Sequence, residues 1–236
     1  MLVIKDLKKS FGKVEVLHGI NLTIDKGEIF AFIGHNGAGK TTTIKCIAGI
    51  LQFDSGEIYI DGINILTNPM EAKKVLAYIP DNPDMYEALT GMQYLNFICD
   101  IYKIDKETRI NEIKKYANLF DFENDLNSII QSYSHGMKQK LAIISAFIRK
   151  PKLLILDEPF VGLDPKASHT VKELMHELCE SGSSVFFSTH VLEVAEKLCN
   201  KVAIIKKGEI ISIGTMEEVK GDKSLEDVFL ELESNE

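Results

Sequence analysis

Gly34-His35-Asn36-Gly37-Ala38-Gly39-Lys40-Thr41 fits the spacing G-x-x-x-x-G-K-S/T, and its surroundings give that spacing meaning. The apolar run 28–33 reads as a strand entering the loop, and a helix begins near Lys40. Glycines let such a loop curl until several N–H groups face one anion, while the helix N-terminus adds partial positive charge. Lys40 is expected to reach the β- and γ-phosphates of a nucleoside triphosphate, the Thr41 hydroxyl to ligate Mg2+, and Thr42 to complete the cradle. A chance match in a Gly-rich turn would not carry a strand before it and a helix after it.

Lys152-Leu153-Leu154-Ile155-Leu156-Asp157-Glu158 supplies a second group of reactive side chains. An apolar strand delivers Asp157 to the end of a sheet, where its carboxylate can hold the Mg2+ shell. Glu158 follows and can polarise an attacking water as general base. Alone, this pair reads equally well as a turn cap and a solvated charge; beside a phosphate loop the chemical reading takes precedence.

The elements that must position these groups alternate. Strands are expected over 2–7, 14–24, 28–33, 57–60, 75–79, 152–156, 184–188, 201–205 and 209–213, and helices over 134–149, after Pro165 and over 191–199. Between about 90 and 126 the pattern is helical only: Thr90 and Gln93 form a capping box, and a second helix fits 105–119. The alternation implies an α/β fold with a mostly parallel sheet covered on both sides and a helical block inserted in one folding unit.

The 236 residues are 45% hydrophobic and 26% charged, an ordinary globular balance, with a net charge of −8 that disfavours non-specific nucleic-acid binding. Cys46, Cys99, Cys179 and Cys199 are scattered and read as buried or free thiols in a reducing compartment, not as a disulfide framework. The first residues carry no secretory pattern, and the longest apolar stretch, 141–148, is far short of the roughly 20 residues that cross a bilayer. A chain soluble by itself is expected, tied to any membrane by other polypeptides.

With both motifs in place, nearly the whole chain resembles the nucleotide-binding subunit of an ABC transporter. Tyr133-Ser134-His135-Gly136-Met137 is similar to the family's signature L-S-G-G-Q at a helix start, with Ser134 and the Gly136 amide facing phosphate; an ordinary Ser N-cap is the plainer reading. The resemblance implies a head-to-tail dimer, with a second copy or a paralogue, sandwiching two ATP molecules. Val161-Gly162-Leu163-Asp164 resembles the D-loop at that interface, His190 matches the histidine that contacts the γ-phosphate, and Phe11 matches the adenine-stacking aromatic, against the alternative of a core Phe. No Asn-Lys-x-Asp motif reads guanine, so ATP is expected over GTP.

Four positions depart from the family pattern. Asp81 stands where Gln normally links the γ-phosphate site to the helical block; it is a candidate Mg2+ ligand with a shorter reach. His35 replaces a frequent Pro, with little consequence expected, and His135 with Met137 alters the signature. The resemblance implies a P-loop NTPase core at about 1–82 and 141–214 with an N-terminal antiparallel β-subdomain, a helical subdomain at about 83–140 and a short tail, 215–236, similar to those of single-domain exporter subunits. It further implies Mg-ATP hydrolysis with Lys40, Glu158 and His190 as the catalytic set. Separate transmembrane permease subunits, export, and a peripheral place on the cytoplasmic face of the cell membrane complete the expectation. The rival is a soluble ABC-type ATPase without a transport role.

Overall fold

The structure, a computed structural model, describes residues 1–234 of the chain. It opens on a hairpin, β1 (Leu2–Phe11) and β2 (Val14–Ile24), followed by β3 (Ile29–Ile33), which runs into the phosphate loop and α1 (Lys40–Ile47). β4 (Ser55–Ile60) and the short β5 (Ile63–Asn64) precede α2 (Pro69–Val75) and β6 (Leu76–Ile79). Helices α3 (Gly91–Ile101), α4 (Lys106–Leu119) and α5 (His135–Ile148) lead to β7 (Leu153–Asp157), α6 (Pro165–Glu180), β8 (Ser184–Thr189) and α7 (Leu192–Leu198). The chain closes with β9 (Lys201–Lys206), β10 (Glu209–Thr215), α8 (Met216–Lys220) and α9 (Leu225–Ser234).

Two sheets result. The first, ordered β2-β1-β4-β5, is antiparallel. The second is ordered β10-β9-β3-β8-β7-β6, parallel except for the edge strand β10. Because strand side chains alternate in direction, β3 separates two cores. Ile29, Ala31 and Ile33 pack with the inner faces of α3 to α7 and α9, while Phe30 and Phe32 pack with α1 and the antiparallel sheet. β3, β7 and β8 are buried along their whole length, which is why they read as unbroken apolar runs.

Several local readings shift. β1 continues to Phe11 instead of stopping at 7, because a register shift between Ile4 and Leu7, with Asp6 at φ 46°, resets the side-chain alternation by which the strand was read. Residues 69–74, not assigned from the sequence, form α2 together with Val75, with Pro69 in its first turn, and β6 begins at Leu76 instead of 75. The helical block contains one isolated bridge, Thr90 to Ile129. It shares its hydrophobic cluster with the sheet, and α5 passes from α3 and α4 onto β6, so a division at 140/141 falls inside a helix. The tail is two capped helices, with Thr215 and Glu218 forming a capping box for α8; its last two residues lie outside those described. No helix among the described residues is long and apolar enough to cross a membrane. All four cysteines are buried and free.

Candidate functional site

Parallel pairing brings the reactive residues to one edge. Ile33 lies beside Thr189, Asp157 beside Ser188, and Ile79 beside Leu156, so the segments leaving β3, β6, β7 and β8 emerge together at the carboxyl end of the sheet. There a cavity of about 390 Å³ is lined by Phe11, His35, Asn36, Gly37, Gly39, Lys40, Thr41, Thr42, Asp81, Asp157 and Glu158. Val16 of β2 also lines it; its apolar side chain gave no sequence signal beyond its place in a strand. Gly34 and Ala38 stand behind the cavity. A Cβ on Gly34 would sit 2.4 Å from the Ile205 carbonyl, so the turn out of β3 excludes any larger residue.

Lys40 is buried, and its ammonium donates to the carbonyls of Gly34 (2.5 Å) and His35 (3.2 Å). Burial pulls its pKa down, while the Glu158 and Asp157 charges act the other way. Asp157 is 2% exposed; its Oδ1 accepts from the Ser188 hydroxyl, and its Oδ2 is buried with no partner among the described residues. An acceptor left unpaired at such depth is costly unless a cation or donor meets it. Glu158 has φ 49°, an uncommon backbone state for a side chain of its size, held by hydrogen bonds from its N–H to the Ser188 carbonyl and hydroxyl, both 3.2 Å. The turn aims its carboxylate at His190, with Oε1 3.0 Å from Nδ1. His190 itself is more than half exposed and does not line the cavity.

A strand–loop–helix cradle and an acidic strand end line one cavity, with His190 beside its Glu158, and a family model described as "ABC transporter" matches residues 17–161 of this chain.

The chain belongs to the ABC transporter family.

It is 37% identical to the ABC-type transporter ATP-binding protein EcsA of Bacillus subtilis, over 98% of this chain and 96% of that one. It is also 37% identical to the linearmycin resistance ATP-binding protein LnrL of the same organism, over 91% of this chain and 69% of that one. Among solved structures, the ATP-binding subunit of an ABC transporter superposes with a TM-score of 0.95 at 35% identity, covering 99% of both chains. The fold is therefore that of the ABC ATPase subunits, and the chain is an ATP-binding subunit of this family.

Against that family frame, the signature segment occupies a separate place. Ser134 caps α5, accepting from the Met137 N–H at 3.3 Å, and neither Ser134 nor Gly136 lines the cavity. A Cβ on Gly136 would lie 2.4 Å from the Gly162 carbonyl, so the glycine allows the signature turn to touch the D-loop. Lys140 pairs with Asp164 at 2.7 Å and holds that carboxyl below its usual range. Gln139, fully buried, reaches the Pro159 carbonyl at 3.5 Å. The start of α5 is thus tied to the loop that carries Glu158.

Phe11 is half exposed at the cavity rim, with the Lys9 ammonium 5.2 Å from its ring centroid, so it is not a core side chain. Asp81 lines the same cavity, its Oδ1 accepting from the Asn82 N–H at 2.8 Å. No group of three or more His, Cys, Asp or Glu side chains among the described residues is arranged to hold a metal. Mg2+ is commonly held by only one or two carboxylates together with phosphate oxygens and water. The unpaired Asp157 oxygen and the cavity-lining Thr41 and Asp81 offer the hard oxygen donors it prefers.

Proposed function

We propose that this subunit hydrolyses Mg-ATP and that the cycle drives transport through separate membrane-embedded permease subunits. The observation that carries the reading is the convergence of Asp157 and Glu158 on the cavity walled by Lys40 and Thr41. Phe11 stacks on adenine, and the loop amides with Lys40 hold the phosphates. Glu158 orients and deprotonates the attacking water, and His190, 3.0 Å from it, fixes the carboxylate and meets the γ-phosphate. Thr41, Asp157 and Asp81 would hold Mg2+, which would supply charge neutralisation for the triphosphate. Replacing Asp81 by Gln is expected to raise the Mg2+ needed for half-maximal hydrolysis on the order of tenfold. An unchanged Mg2+ titration would remove Asp81 from the metal shell.

The signature lies outside the cavity of its own chain, which favours Ser134 and Gly136 meeting ATP held by a second copy or a paralogue, head to tail. Closing and opening of that pair is the motion passed to the permease. Its docking face is supported by an apolar groove lined by Ile50, Leu51, Ile65 and Leu66, adjoining a second one where Met70, Ile101 and Tyr102 are rimmed by Lys73, Lys74 and Arg149. The resemblance of the tail to exporter tails, with a relative named for linearmycin resistance, favours export. The working place is then the cytoplasmic face of the membrane, reached through the permease.

The test is purification of the tagged chain from solubilised membranes. A multi-span protein is expected to accompany it, and Ile101→Glu, on the exposed groove wall, is expected to abolish that association while leaving ATP binding intact. Recovery without any membrane protein would favour the soluble ATPase.

A further inference from the structure

The phosphate loop is touched from outside the cavity by the end of the chain. The His35 ring meets the ring of Phe229, on α9, edge-on with centroids 5.0 Å apart. Phe229 and Leu225, one helical turn apart, are both buried in the core beneath the parallel sheet. Polar contacts hold the helix in place. Glu196 of α7 accepts from the Leu225 N–H at 3.2 Å and pairs with Lys220 at 2.5 Å, and the Lys206 ammonium donates to the Leu232 carbonyl at 3.1 Å. The docked face of α9 therefore ends on the second residue of the loop. That same residue presents its carbonyl to Lys40 at 3.2 Å, so a restraint on the His35 ring reaches the phosphate-binding ammonium through a single residue.

We propose that α9 sets the affinity of the phosphate loop for ATP, with Phe229 as the positioning residue that acts through His35. Docked, the helix restrains the loop that supplies the phosphate-binding amides; undocked, the loop must give up more conformational freedom on binding. The inference rests on the ATP-binding reading above. It also has a thermodynamic counterpart: if docking of α9 tightens ATP, ATP must strengthen docking of α9 by the same factor.

Calorimetric titration of the full chain with ATP tests it. Phe229→Ala is expected to weaken binding about two- to tenfold, the range for loss of one aromatic edge contact. Phe229→Leu, which fills apolar volume without a ring, is expected to keep the parental melting temperature yet show a similar weakening, and Phe229→Tyr to restore affinity. Combined with His35→Ala, Phe229→Ala should add nothing further. In the parent, ATP should slow amide exchange across 225–232, and in His35→Ala it should not. Parental affinity in Phe229→Leu, or full additivity of the two alanine changes, would overturn the proposal. A parent chain that does not bind ATP would instead overturn the nucleotide reading itself.

Discussion

Replacing Glu158 by Gln is expected to lower steady-state ATP hydrolysis by about 10²- to 10⁴-fold, the range attributable to a positioned general base, while ATP binding persists. The substitution keeps the length of the side chain, so the left-handed backbone at 158 and its hydrogen bonds to Ser188 are retained. What disappears is the carboxylate charge that faces His190. With hydrolysis arrested, a second effect follows. The ATP-bound form should accumulate as a dimer, visible as a doubling of mass by light scattering when Mg-ATP is added. Normal turnover by this variant would refute the role given to Glu158; arrested turnover with a persistent monomer would refute a head-to-tail pair of identical copies and leave only a paralogue as the second half.

The second large effect is expected at Lys40. Its ammonium is the buried cation of the phosphate loop, and it donates to two loop carbonyls. A charge-assisted hydrogen bond contributes about 1.5–3 kcal/mol, so Lys40→Ala should weaken ATP about 10- to 100-fold. The folded, nucleotide-free protein should tolerate the change. Burial already disfavours the charged amine there, more strongly than the two nearby carboxylates favour it. Its melting temperature should move by no more than about 4 °C, equivalent to about 1 kcal/mol in a chain of this length. Parental ATP affinity in this variant would mean that the loop has been misread; a collapse of the melting temperature would mean that the lysine is structural.

The net charge of −8 conceals local contrast. Lys73, Lys74, Lys103 and Arg149 gather around one apolar groove, and the Arg149 guanidinium lies 3.6 Å from the Tyr102 ring centroid. A whole-chain sum reports the average approach of a polyanion, whereas a docking segment meets only the local field.

The phosphate loop was legible in the sequence because its chemistry is contiguous: eight neighbouring residues supply the amides, the cation and the hydroxyl, and the flanking strand and helix announce themselves by their own patterns. Asp157 and Glu158 were legible for the same reason, lying at the end of an unbroken apolar run. Beyond such contiguous motifs, hydrophobic periodicity reports only which face of its own element a residue occupies. It does not say which element will lie opposite, and a bulge such as the one near Asp6 erases even the period. Tertiary structure alone put Val16 into the cavity, tied the start of α5 to the Glu158 loop, and set Phe229 against His35. These contacts join residues far apart along the chain, and what selects them is the packing of two cores on opposite faces of one sheet.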